Sequence, residues 1–287
     1  MSANVQAIFW ALLATGLFAL TAALAKVAVQ DYHVLQILFF RQVVVFVSAI
    51  PDLARSFPDS LKTRHPVGHG FRLAGAFVAL SCGIWAVAVL PLTAAITIGF
   101  AQVFFVTLLA TWFLRETVGH HRLIAVIAGF VGVIVVMRPG LDGIIDTAAL
   151  IPLAGALGAA VAVVSVRRLS QTESTATLLA YQSIFVGVLA GIPLFWFWTN
   201  PDIEGFALLL GMGVLATLGQ WIGVKALRLG EASVVSNIEY MKLFYAAVFG
   251  YLLFAEVPDR YTLLGAAIIV IAALYIARRE SSQAPSR

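Results

Sequence analysis

Long apolar runs separated by short polar links follow one another along almost the whole chain. A helix that crosses a bilayer needs about 20 apolar residues. Ten runs of that order fit the sequence, at residues 6–25, 34–50, 73–90, 92–114, 123–137, 148–166, 176–198, 206–227, 232–254 and 261–277. Pro51 and Pro58 open a polar loop, Leu90-Pro91-Leu92 makes a tight link, and Arg138-Pro139-Gly140 closes the fifth run. The pattern predicts an all-α polytopic membrane protein with ten transmembrane helices and no length left for a soluble domain. Residues 281–287 form a polar tail. The first run ends at Ala23-Leu24-Ala25, which resembles a signal-peptide cleavage site. No Lys or Arg precedes it and it is long enough to span, so it is read as the first helix.

Composition sharpens the class. Hydrophobic residues make up 61% of the chain and charged residues 11%, against about 45–50% and about 25% in soluble domains. The net charge of +4 does not argue for nucleic acid, because the basic residues sit mostly in the links. The single cysteine, Cys82, lies in an apolar run and reads as a small packing residue. His65 and His69 are four apart, but Pro66 and Gly68 argue against a helix there, and His120 and His121 are adjacent. No metal site and no cofactor is expected. There is no HExxH, P-loop or GxSxG sequence, so a nucleotide-driven pump would lack its engine.

A shift of 140 positions lays the chain on itself, placing Glu116 on Glu256, Phe104 on Phe244, Gly83 on Gly223 and Gln42 on Gln182. The two copies are residues 1–140 and 141–280. Each holds five spans, an odd number, so they enter the membrane from opposite sides as two inverted five-helix repeats. Loop charge agrees with this. Residues 52–72 hold four basic side chains, whereas the counterpart loop holds Asp202 and Glu204 and no Lys or Arg. With both termini cytoplasmic, nearly all basic residues of the links face inside, and only Arg138 and Arg260 fall clearly outside. The expected location is the cell inner membrane.

Ionised groups inside a span cost roughly 2.5–3.5 kcal/mol each on insertion scales. Residues 232–254 carry Glu239 and Lys242, three apart and therefore on neighbouring parts of one helix face. They either line a wet solute path or neutralise each other as a structural pair. Glu239 is the most deeply placed acid, which makes it the candidate for proton coupling. Arg41 either binds an anionic group or holds a neighbouring backbone. Arg41 and Lys242 against Glu239 leave one net positive charge, which an anionic or zwitterionic solute would balance. Trp85 and Trp221 either stack on a solute or face lipid. Gln42, Gln102, Gln182 and Asn237 are ligands or helix-to-helix glue. Lys26 and Lys225, near span ends, are expected to snorkel. Thr93, Thr97, Thr107 and Thr111 are expected to bond back to helix carbonyls. The candidate substrate-binding set is Arg41, Trp85, Gln102, Gln182, Trp221, Glu239 and Lys242.

The runs Leu90-Pro91-Leu92-Thr93-Ala94-Ala95, Gln102-Val103-Phe104-Phe105-Val106-Thr107-Leu108-Leu109, Arg115-Glu116, Gly129-Phe130-Val131-Gly132-Val133 and Met137-Arg138-Pro139-Gly140 resemble an EamA repeat. The segment around Ala255-Glu256 resembles a second, weaker copy. Over nearly its whole length the chain is similar to the ten-helix drug/metabolite transporter (DMT) superfamily. The resemblance implies an alternating-access carrier with a central cavity where the third, fourth, eighth and ninth helices meet. Members carry amino acids, nucleotide-like vitamins, S-adenosylmethionine, metallophores or drugs. Where the family has Gly before the Glu, this chain has Arg115 and Ala255, so a differently built turn is expected.

The function expected is a secondary active transporter of a small zwitterionic or anionic metabolite, export favoured over import. A membrane-embedded lipid-processing enzyme is the alternative, and only His120, His121 and Glu116 approach the acid/base set it needs. A helix bundle that merely anchors a partner is a third reading. Expected partners are the solute and membrane lipids. A homodimer stays open, because Gly129 with Gly132 and Gly155 with Gly158 suit packing within one protomer or between two.

Overall fold

The structure, a computed structural model, describes residues 3–56, 63, 65–114, 120–137, 147–169, 173, 175–229, 235 and 238–283. Every regular element among them is helical: α1 (Ala3–Ala28), α2 (Val34–Ser56), α3 (Pro66–Val89), α4 (Leu92–Gly99), α5 (Gln102–Leu114), α6 (His120–Met137), a 3₁₀ turn (Thr147–Ala149), α7 (Leu150–Leu169), α8 (Thr175–Gly191), α9 (Leu194–Phe197), α10 (Ile203–Leu229), α11 (Met241–Phe254) and α12 (Arg260–Gln283). By length and composition, six segments can cross a membrane: Val5–Ala28, Val34–Pro51, Pro66–Val89, Leu92–Ala110, Thr147–Leu169 and Ile203–Ala226. Four shorter apolar helices join them: Leu123–Met137, Thr177–Gly191, Met241–Phe254 and Arg260–Ile276. The chain is a polytopic, all-helical membrane protein.

Of the boundaries that differ from the sequence reading, three bear on the site. α3 begins at Pro66, not at residue 73. Proline at the first helical position lacks only an N–H that would have no intrahelical partner, so it starts this helix instead of breaking it. His69 and Arg72, read as loop residues, are therefore buried within α3. The expected fourth span is two helices, α4 and α5, separated at Phe100 and Ala101. In the expected ninth span, α11 starts only at Met241, after a turn at Glu239 and Tyr240.

Packing brings helices into close approach at small residues, as expected where lipid gives no hydrophobic drive to associate. A β-carbon on Gly75 would lie 2.6 Å from the Gly158 carbonyl oxygen, and one on Gly158 would lie 2.8 Å from that of Gly75, so α3 and α7 touch backbone to backbone. Gly132 and Gly265 bring α6 and α12 together in the same way, and the Phe104 ring fills the notch at Gly129. Half-buried Cys82 packs beside Gly155. These small-residue faces are thus used inside the protomer.

The contacts also follow the 140-residue shift. α3 packs on α7 as α1 packs on α10, α4 and α5 lie along α7 as α11 lies along α1, and the pairs α2/α8 and α6/α12 map onto themselves. The result is two groups, α1 with α10 and α11, and α7 with α3 and α5, with α4 lying between them against both α11 and α7, and a thinner contact between α1 and α3.

Candidate functional site

Two helix breaks meet between those groups. At the first, the Ala101 N–H bonds the Ile98 carbonyl (2.9 Å), Val103 bonds Phe100 (3.1 Å) and Phe104 bonds Ala101 (3.0 Å). At the second, the Lys242 N–H bonds the Glu239 carbonyl (3.0 Å) and Leu243 bonds Tyr240 (3.1 Å). All five are three-residue bonds of 3₁₀ type, tighter than the α-helix on either side. The breaks occupy equivalent positions of the two copies, and Phe100 and Tyr240, 140 residues apart, touch with ring centroids 5.2 Å apart. Interrupted backbone is tolerated at membrane depth where protein or a wet cavity surrounds it, and paired interruptions point to a binding site.

The second break carries the charge. Glu239 opens its turn and Lys242 lies in the first turn of α11. Lys242 lies within reach of the charges of both Glu239 and Arg41. Among the described residues none of the three side chains makes a hydrogen bond or an ion pair within 4 Å. Glu239 and Lys242 nevertheless lie near enough for each charge to act on the other. Arg41 and Lys242 are half-buried and Glu239 is exposed.

Aromatic rings pack along α1 and α11. Lys242 Nζ lies 5.7 Å from the Phe18 ring centroid. Tyr245 sits against Gly16 and stacks on Phe249. Lys225 places Nζ 3.8 Å from the Trp10 ring centroid, a cation–π contact.

The other expected site residues divide. Gln102 is the first residue of α5, half-buried, at the repeat position of Lys242. Gln182 accepts a hydrogen bond from Arg72 Nη2 (3.0 Å). Gln42 is buried, and its Oε1 has no partner among the described residues. Trp85 and Trp221 are 51% and 59% accessible, on helix faces shared with Val78 and Val89 and with Val214 and Leu218. Among the described residues no ring or hydrogen-bond contact joins either to Arg41, Glu239 or Lys242. Thr97 and Thr107 bond back to the Thr93 and Val103 carbonyls as expected. Glu116 and Asn237 lie outside the described residues, as do the side chains of His120 and His121. Among the described residues no group of three His, Cys, Asp or Glu suits a metal.

Comparison with known proteins decides the family. The model of the EamA-like transporter family matches residues 5–138 and again residues 146–278. The chain belongs to the EamA-like transporter family. It is a membrane transporter, and the enzyme alternative has no support. It is 27% identical to an S-adenosylmethionine uptake transporter of Rickettsia bellii, over 85% of this chain and 84% of that one. It is 28% identical to a riboflavin transporter of Vibrio cholerae (97% and 95% covered) and 28% identical to the pseudopaline exporter CntI of Pseudomonas aeruginosa (93% and 94%). A solved crystal structure, 16% identical, superposes with a TM-score of 0.63 over 97% of this chain and 98% of that one, and shares the fold.

Two polar clusters of this EamA-like transporter escaped the sequence reading. At one end of α3, His69 Nε2 lies 2.5 Å from Glu173 Oε2, the Thr63 hydroxyl donates to the other oxygen of Glu173, and Arg72 Nη1 donates to the Leu178 carbonyl (2.7 Å). The His69 ring also lies on Tyr181, with centroids 4.6 Å apart. Burial alone would raise the Glu173 carboxyl, but the Thr63 and His69 hydrogen bonds and the charges of His69 and His65 hold it below its ordinary range. At the other end, Lys26 forms an ion pair with Glu256. Lys26 had been assigned to snorkelling, and only the match of Glu116 to Glu256 hinted that Glu256 had a place in the fold.

Proposed function

We propose that this transporter is a secondary carrier for a small zwitterionic or anionic metabolite. It has ten transmembrane helices in two inverted five-helix copies, residues 1–140 and 141–280, lies in the inner membrane with both termini cytoplasmic, and works by alternating access. The repeated family match, the ten apolar helices and the contacts that follow the 140-residue shift all support the architecture. The observation that carries the solute class is the pair of cations Arg41 and Lys242. They are close enough to act on each other, and among the described residues neither is paired. Two cations against the one acid Glu239 leave a positive charge whose enclosure is costly, and a carboxylate or comparable anion on the solute balances it. Gln102, from the opposite break, is placed to orient the uncharged part of the solute, with Trp10, Phe18 and Tyr245 as apolar wall.

Glu239 is the proton-coupling group in this reading: it is the acid beside Lys242, it is exposed, and among the described residues its carboxylate has no hydrogen-bond or ion-pair partner. The favoured direction is export, protons entering as solute leaves. The names of the relatives include both uptake and export, and either direction is served by the same site.

The experiment is a thermal-shift screen of the purified transporter with amino acids, nucleosides, vitamins and metallophores. Transport of the hit is then measured in proteoliposomes. Arg41→Met and Lys242→Met should abolish stabilisation and transport, whereas Glu239→Gln should keep solute exchange and lose accumulation driven by a pH gradient. Undiminished transport by both cation variants would remove the site.

A further inference from the structure

We propose that Lys26 and Glu256 form the gate latch at one end of the transport path, the outer end in the topology proposed above. The inference rests on the alternating-access reading and concerns residues outside its solute site. The bonds form a closed set. Lys26 Nζ meets Glu256 Oε1 at 2.5 Å and donates to the Leu90 carbonyl at 2.7 Å. The other carboxylate oxygen, Oε2, accepts the Leu92 N–H at 2.8 Å. The Glu256 backbone N–H bonds the Gly250 carbonyl at 3.0 Å, which fixes where the side chain starts, and the Phe254 ring centroid lies 5.4 Å from Lys26 Nζ.

The residues so joined belong to different packing groups. Lys26 ends α1, and Glu256 follows α11, which lies along α1. Leu90 closes α3 in the other group, and Leu92 opens α4, which lies between the groups. The latch satisfies both helix ends of that link at once: a cation on the carbonyl that closes α3 and a carboxylate on the first N–H of α4. It crosses the same boundary that Phe100 and Tyr240 cross at the breaks. Opening a path from this end to the site requires the groups to part here, so these bonds have to break and re-form in every cycle. The two side chains are 15% and 22% accessible, so water can replace the partners when the groups separate. The lysine half belongs to one copy alone: Val166 stands at the repeat position of Lys26.

The test places spin labels at Val89→Cys and Val257→Cys, both exposed and on opposite sides of the boundary, in a Cys82→Ser background in proteoliposomes without solute. Distances between the labels are read by pulsed electron resonance. Glu256→Gln keeps an acceptor for Leu92 and removes the charge, Lys26→Met removes both Lys26 bonds and keeps the stem, and Lys26→Arg restores a cation. The first two should raise the ratio of long to short distances about tenfold, the worth of one charge-assisted hydrogen bond, and Lys26→Arg should return it toward the starting value. An unchanged distance distribution in Glu256→Gln and Lys26→Met, with or without a lower melting temperature, would make the pair a structural cap and overturn the latch. The readout uses no solute, so the two failures separate: a wild-type protein that transports while the variants leave the label distances unchanged overturns the latch alone, and a wild-type protein that moves no solute in proteoliposomes overturns the carrier reading.

Discussion

The break between α4 and α5 and the break ahead of α11 hold equivalent places in the two copies and share their tight backbone bonds, but not their side chains. The first carries Gly99, Phe100 and Gln102 where the second carries Glu239, Tyr240 and Lys242. A shared backbone with charge on one side teaches that geometry and chemistry divide between the copies. Both supply interrupted helices, and in the proposed carrier one supplies the groups that bind and couple. A solute bound there would meet a cationic side and an amide side, and would enter in one orientation.

The sharpest way to break this comparison is to cut the same position in each copy. Lys242→Met should weaken solute binding by roughly 30-fold or more, as loss of one partner of an enclosed charge pair does. Gln102→Met, which removes one neutral hydrogen-bonding group, should cost about 3- to 10-fold. Thermal-shift titration of the two variants gives both numbers. Equal losses would show that charge asymmetry is not what the site uses.

That asymmetry was half legible in the sequence. Hydropathy revealed the spans, and the pairs Gln42/Gln182, Gly83/Gly223 and Glu116/Glu256 revealed the repeat, because polar and glycine matches are rare inside apolar runs. Glu239 and Lys242 stood out because charge in a span is expensive. The breaks did not stand out: a 3₁₀ step between Gly99 and Gln102 leaves hydropathy unchanged. Lys26 and Glu256 are far apart in sequence, and no local pattern announces a contact over that separation. His69 and Arg72 were hidden by a misread proline, since Pro66 was taken to end structure where it begins a helix.

The cluster at that end of α3 is a second place where the copies part. Leu209 and Met212 stand at the repeat positions of His69 and Arg72, so only one copy has the polar knot around Glu173. The Glu173 carboxyl is held below its ordinary range, so its contribution to stability is complete above the ordinary carboxylate pKa and is lost as pH falls through the depressed value. Glu173→Gln should therefore cost about 1–3 kcal/mol at neutral pH, the cost of weakening hydrogen bonds to a charged group. The variant's melting temperature should change less than that of the wild type between pH 7 and strongly acidic pH. A variant that follows the wild-type acid profile in full would exclude Glu173 as the acid-sensitive tie.

The smallest effect tests how far the shared backbone extends. α11 ends on Ala255 in the left-handed region (φ 54°, ψ 27°), the conformation that glycine adopts without strain. The turn before Glu256 is therefore built as a glycine would build it, contrary to the expectation from Ala255 itself. Its N–H is shared between the Gly250 and Tyr251 carbonyls, which holds the strained residue in place. A left-handed alanine costs roughly 1–2 kcal/mol, and glycine gives back part of that gain by loosening the unfolded chain. Ala255→Gly should thus stabilise the fold by about 0.5–1 kcal/mol, measured as a rise in melting temperature. Arg115→Gly is the matching substitution in the first copy. A similar gain there would carry the common backbone past the end of α5, and a loss would place the divergence of the copies at that turn.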